Sequence, residues 1–178
     1  MTRQCKKFIA VLMASLMLLL PFGSAVVWAQ EDGPEQDTTF DVRIVHTNDI
    51  HARVEEDDYN QVIGMDRLSG IAKTFVEGSD GSLILDSGDL FHGQSIATLV
   101  KGESVAKLVK ACGYDAMTTG NHDWSYGKER LKELGRIADI RILSNNVVNV
   151  DGTPFFDEDT FIKEIEKDVI TLKIGVFG

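Results

Sequence analysis

Cysteine, positive charge, histidine and long apolar runs are all in short supply in this chain, and each shortage narrows what it can be. Its 178 residues include only Cys5 and Cys112, and Cys5 lies in a leader-like segment, so no internal disulfide framework is expected even in an oxidising compartment. Cys112, among apolar residues at helical spacing, reads as a small buried side chain. Eighteen Lys+Arg face 28 Asp+Glu, a formal net charge of −10. Such acidity argues against nucleic-acid polymers and anionic membrane surfaces as partners. A phosphate-bearing substrate would need local positive charge, which bound cations commonly supply. The four histidines, His46, His51, His92 and His122, all stand at or before position 122. The longest apolar run, Phe8 to Leu20, is too short to span a bilayer, and Pro21 and Gly23 break it.

That run nevertheless has a job. Arg3, Lys6 and Lys7 precede it and Val27-Trp28-Ala29 follows it, which reads as a signal peptide over 1–29 and an exported protein, periplasmic, secreted or held at the cell surface. Cys5 lacks the surroundings of a lipid-attachment site, so membrane contact is expected only through the signal segment. Residues 30–40, acidic with Gly33 and Pro34, read as a flexible leader. The remainder, 41–178, is about one domain in size.

Within that domain one pattern recurs three times. Asp41 to Thr47 alternates and is rich in β-branched residues, so it reads as a strand, and it delivers Asn48-Asp49-Ile50-His51. Asp66 is expected to cap a helix whose apolar face is Leu68, Ile71, Ala72 and Phe75, with Gly78 as its stop. A buried strand, Ser82 to Leu85, then ends in Asp86-Ser87-Gly88-Asp89, where Gly88 lets the backbone turn and aims Asp89 into the crevice above the sheet. A second helix, Glu103 to Cys112, buries Val105, Leu108, Val109 and Cys112 and stops at Gly113; a third strand, Tyr114 to Thr119, delivers Gly120-Asn121-His122-Asp123. Each fragment alone is also ordinary turn or loop chemistry. Three of them at the carboxyl ends of successive strands in a βαβ order are expected to converge on one edge of a parallel sheet. There an aspartate such as Asp89, with two oxygens, could bridge two divalent cations, and imidazole with carboxylate donors suits Zn, Mn or Fe.

The remaining elements carry less chemistry. His46 reads as a strand residue or a support for the ligands, His92 as a surface histidine, and Glu55 to Asp58 as a solvated loop. Lys128 to Ala138 reads as a third helix buried through Leu131, Leu134, Ile137 and Ala138, and Arg141 to Ser144 as a fourth strand. Asn145-Asn146 could support the site or simply form a turn. A hairpin is expected from Phe161–Glu166 and Ile170–Phe177 around Lys167-Asp168. The last residues read as a core strand cut at its exit, so the chain is expected to be an N-terminal fragment.

In order, His46-Thr47-Asn48-Asp49-Ile50-His51, Asp86-Ser87-Gly88-Asp89, Lys101-Gly102-Glu103, Gly113-Tyr114-Asp115-Ala116-Met117 and Gly120-Asn121-His122-Asp123 resemble the calcineurin-like metallophosphoesterases, and among them the exported 5'-nucleotidase branch with its UDP-sugar hydrolases and 2',3'-cyclic-nucleotide phosphodiesterases. The resemblance implies an α/β fold, here an incomplete four-layer α/β/β/α sandwich. It implies two divalent metal ions, Zn, Mn or similar, with Asp49 and His51 on the first, Asp89 bridging, and Asn121 on the second. Asn121 and His122 would contact the substrate, a nucleotide or other small phosphoester, and His122 would neutralise charge at the phosphoryl group or leaving oxygen, with Asp123 as its candidate partner. A hydroxide activated by the two metals would attack phosphorus. The family's nucleotidases usually place an Asp three residues after the His, where this chain has Ser125. The family's later metal-binding histidines have no counterpart here, so the fragment itself is expected to be inactive or nearly so. The rival readings are a non-catalytic extracellular binding module on the same fold, and another hydrolase of the fold, such as a thiosulfohydrolase or a phospholipid-directed phosphodiesterase.

Overall fold

The computed structural model describes residues 38–158 and 160–178, so the expected signal peptide and residues 30–37 of the expected leader lie outside the described residues. Strand β1 (Val42–Thr47) is followed by a small antiparallel pair, β2 (Glu56–Asp57) and β3 (Val62–Ile63), and by helix α1 (Met65–Val76). Then come β4 (Gly81–Asp86), the short α2 (Ser95–Thr98), α3 (Glu103–Cys112), β5 (Ala116–Met117), a 3-10 turn (His122–Tyr126), α4 (Lys128–Ala138) and β6 (Arg141–Ile142). A hairpin of β7 (Thr160–Lys167) and β8 (Ile170–Phe177) follows.

Strands β1, β4, β5 and β6 form one parallel sheet in that spatial order. Parallel neighbours need crossovers, and α1, α3 and α4 supply them as the alternation of patterns predicts. The helices cover one face, where Phe91, Val105, Val109, Met117, Leu131, Leu134 and Ile142 share a buried core. Side chains alternate across a strand, so Gly81 and Leu83 point to the other face. There the hairpin arrives: a Cβ on Gly81 would collide with the Ile165 side chain, and both Leu83 and Ile165 are buried. Lys167 ties the hairpin to Asp80 at 2.8 Å, and Lys163 ties it to Asp115 at 3.4 Å. A helix layer, a parallel sheet and the start of a second sheet are thus in place.

Local differences from expectation have physical causes. Asp66 does not cap α1; Gly64 precedes the helix with φ 74, and Asp66 stands in the first turn. The buried or half-buried stripe of α1 is Met65, Leu68, Ser69, Ala72 and Val76, so Ile71 and Phe75 are left 56% and 51% exposed. Arg43 helps to turn Phe75 outward: its guanidinium lies 5.8 Å from the Phe75 ring centre while Nη1 donates to the Phe75 carbonyl. Helix α3 keeps its predicted bounds, yet Ala106 rather than Leu108 completes its buried face. The two short strands, β5 and β6, cover only part of their predicted ranges, although single backbone bonds from Asp115 N to Ile84 O, Thr118 N to Asp86 O and Leu143 N to Met117 O extend their alignment. The acids of 55–58 are solvent-facing as expected, but two of them form β2. The hairpin turns at Asp168-Val169, where Asp168 takes φ 55.

Because Ile165 is the hairpin's buried anchor on the sheet, Ile165→Ala is expected to lower stability by about 2–4 kcal/mol, measured by urea unfolding followed by circular dichroism.

Candidate metal centre

The sheet register decides where the chemistry goes. Thr47, the last residue of β1, pairs with Asp86, the last of β4, so the next residues of both strands leave the sheet side by side. They stay paired through backbone bonds: Ser87 N to Thr47 O at 2.8 Å, Asp49 N to Gly88 O at 3.0 Å, His51 N to Asp89 O at 2.8 Å and Ala52 N to Leu90 O at 3.2 Å. Thr118 N reaches Asp86 O at 3.0 Å, which brings the third loop alongside.

This pairing imposes left-handed backbone on residues that dislike it. Asp49, His51, Ala52 and Asp89 have φ of 53, 50, 57 and 58. For His and Ala such angles are uncommon, and clustered strain of this kind collects at functional sites. Glycines remove the remaining obstruction. A Cβ on Gly88 would collide with the Gly120 backbone, and one on Gly120 would collide with the Asp89 carboxylate. Two adjacent residues without side chains let the Asp89 and His122 loops touch.

The three loops bring His51, Asp89 and His122 together, with one donor atom from each within 4.8 Å of the others. His51 Nε2 lies 3.8 Å from Asp89 Oδ2 and 3.7 Å from Asp49 Oδ1, and the His51 and His122 rings meet edge to face at 4.9 Å. The His122 backbone N–H donates to Asp89 Oδ1 at 2.7 Å. His51 and Asp89, with Asp49 beside His51, are imidazole and carboxylate donors of the kind that fits a first-row divalent cation, and the His122 ring stands at the edge of the group. Asn121 precedes His122 and is exposed, at φ −69.

Other residues occupy roles different from those read in sequence. Asp123, expected beside His122, is fully buried, and its carboxylate accepts four backbone N–H groups: Asp89 at 2.8 Å, Leu90 at 3.0 Å, Phe91 at 3.1 Å and Gly120 at 3.0 Å. It is the clasp between two site loops. Burial pushes its pKa above the ordinary carboxylate value despite those donors. The partner of the His122 ring is His92, whose Nδ1 lies 3.3 Å from His122 Nδ1. His92 was expected at the surface, but the three-residue step from Asp89 through the buried Leu90 and Phe91 returns it to the site. That spacing was the signal available in sequence. His46 keeps to its strand and contacts Ser87 Oγ at 2.9 Å, and Asn145 pairs with Gly178 rather than with the site.

Asp86, buried at the end of β4, accepts from Thr47 Oγ1 at 2.6 Å and from Gly88 N at 2.8 Å, while Thr47 also contacts the Tyr114 hydroxyl at 3.0 Å. Burial dominates and pushes its pKa up to about 6.

With this geometry established, comparison with known proteins places the chain. A calcineurin-like phosphoesterase family model matches residues 42–176, and the chain belongs to that family of metallophosphoesterases. It is 35% identical over 144 residues to human 5'-nucleotidase, an alignment covering 75% of this chain and 24% of that protein. It is 36% identical over 118 residues to a snake venom 5'-nucleotidase of Gloydius brevicauda, covering 61% of this chain and 20% of the relative. The crystal structure of the calcineurin-like phosphoesterase YfkN from Bacillus subtilis superposes with a TM-score of 0.58 at 26% identity, over 74% of this chain and 45% of that one. The chain thus spans about a quarter of the length of the curated relatives it matches.

Two predictions follow from the buried acids. Asp123→Ala leaves up to four buried amides without an acceptor, so a stability loss of about 3–5 kcal/mol is expected in urea unfolding, with a smaller loss in Asp123→Asn, which keeps one carbonyl oxygen. For Asp86 the folded pKa of about 6 lies above the ordinary value of about 3.9, so the folded state binds the proton more tightly. Its contribution is full at acid pH and is lost as pH rises through 6, by about 2–3 kcal/mol. Asp86→Asn should remove that loss, so unfolding at pH 4 and pH 7.5 should show the variant gaining on the wild type as pH rises.

Proposed function

We propose that the chain is the N-terminal part of the catalytic domain of an exported, metal-dependent hydrolase of nucleotide phosphoesters, of the 5'-nucleotidase or cyclic-nucleotide phosphodiesterase type. The observation that carries this reading is the convergence of His51, Asp89 and His122 at the strand ends, with His51 and Asp89 on strained backbone. The names of the relatives, 5'-nucleotidases from human and snake venom, support the nucleotide substrate, and the latter supports export.

In this reading Asp49, His51 and Asp89 would hold one divalent ion, and Asp89 and Asn121 would serve a second. Ions there supply Lewis acidity and the positive charge that an acidic chain needs to accept a phosphate. The His122 amide holds the Asp89 carboxylate, and the missing side chain at Gly120 leaves room for it. Asp123, through the amides it gathers, keeps the two loops at constant separation. His122 faces the phosphoryl group and donates a ring N–H to an oxygen on it or on the leaving group. Among the described residues a second ion would have only Asp89 and Asn121 as candidate ligands, so the chain alone is expected to turn over slowly or not at all.

Ion binding tests the reading directly. Titration calorimetry with Mn²⁺ or Zn²⁺ should show binding that Asp89→Asn and His51→Ala each weaken at least tenfold, and any phosphate release from AMP, a cyclic nucleotide or a chromogenic ester should require the ion. Equal binding by the variants, or hydrolysis that survives chelation, overturns it.

A further inference from the structure

The site contains one contact whose consequence is chemical rather than architectural. His92 and His122 meet Nδ1 to Nδ1 at 3.3 Å, with their rings stacked at 5.3 Å and 27°. A hydrogen bond between two imidazole nitrogens holds a single proton. Two neutral rings can make it only as opposite tautomers, one protonated at Nδ1 and the other at Nε2. The tautomer of one ring therefore dictates that of the other.

We propose that His92 is a positioning residue that donates its Nδ1–H to His122 and thereby fixes His122 as the Nε2–H tautomer, so that His122 presents a proton to the phosphoryl oxygen. This rests on the reading of His122 as a donor. A His122 with a bare Nε2 could accept a proton or hold a cation, but it could not donate there. A donor at Nε2 must accept at Nδ1, and the group standing at that nitrogen is His92.

The surroundings assign no other residue to the task. Position 125 is a serine, and the neighbouring acid, Asp123, has both carboxylate oxygens engaged by backbone amides. The His122 backbone is fixed by Asp89, which leaves rotation of the side chain to be settled by its ring partner. His92 is itself held from both sides. Tyr126 packs on its ring at 5.2 Å, and Gly93 brings the following backbone so close to the His51 carbonyl that a Cβ would collide with it. A ring placed this firmly can impose a tautomer, as the second hydrogen bond of an imidazole commonly does.

The tautomer is observable without turnover. In the ¹⁵N-labelled 178-residue chain near pH 8, long-range proton–nitrogen spectra should show His122 protonated at Nε2 and His92 at Nδ1. A nitrogen–nitrogen coupling through the hydrogen bond should join the two Nδ1 atoms. His92→Gln, which keeps an N–H donor, should preserve the His122 tautomer, and His92→Phe, which keeps a ring without a donor, should raise the Nδ1–H form of His122 several-fold. A mixed or Nδ1–H His122 in the wild type overturns the proposal without needing any variant to fold, and so does an unchanged His122 in a folded His92→Phe. A chain that hydrolyses AMP with a mixed His122 tautomer would defeat this inference alone; a single Nε2–H tautomer in a chain that binds no ion would defeat the functional reading alone.

Discussion

The Asp123 carboxylate is the contact on which the site depends. A single buried side chain gathers the amides of Asp89, Leu90, Phe91 and Gly120, which belong to two different strand-end loops. Neither loop has secondary structure that could satisfy those amides, and buried unpaired N–H groups are costly. The carboxylate therefore substitutes for a missing stretch of sheet. It also fixes the backbone on either side of the groups that do chemistry, since Asp89 is itself one donor and Asn121 and His122 immediately follow another.

Held this way, the loops can carry strain. His51, Ala52 and Asp89 take left-handed angles that would relax if the segments were free, each at a cost of order 1 kcal/mol or more. Backbone bonds between 49–52 and 88–90 oppose that relaxation, and the close approach of Gly88 and Gly120 permits no alternative packing by larger residues. The parallel sheet supplies the starting register for all of it. Thr47 opposite Asp86 means that two chains leave the sheet at the same height and in the same direction.

How much of this was legible in sequence follows from which forces set each feature. The parallel order, the bounds of α3 and α4 and the presence of the hairpin are fixed by local periodicity and by stop signals such as Gly113, so they could be read, although the hairpin turn falls one residue later than expected. The convergence of Asp49, His51, Asp89 and His122 was readable because it needs only strand ends and short loops. The rotation of α1 was not. Its outward Phe75 meets Arg43 of strand β1, a partner that no helical pattern contains. The role of Asp123 was hidden for the same reason, because a carboxylate bonded to distant amides has the same sequence signature as one bonded to a neighbouring histidine. His92 shows how small the margin is: an intervening Leu-Phe pair that buries itself is enough to return the next side chain to the site.

The remaining question is why the proposed cation site lies at His51 and not elsewhere in so acidic a chain. Four aspartates crowd the strand ends, and the protein treats them in two ways. Asp86 and Asp123 are buried and give their oxygens to hydroxyl and amide donors, which leaves little for an ion. Asp49 and Asp89 each engage one oxygen, with Asn48 at 2.5 Å and with the His122 amide at 2.7 Å, and turn the other toward His51 at a separation too long for a hydrogen bond. A divalent ion in that gap would be compensated by both carboxylates and by the imidazole at once. The distribution of oxygens bonded within the protein and oxygens left open beside His51 thus supports the proposed site more sharply than the count of acids does.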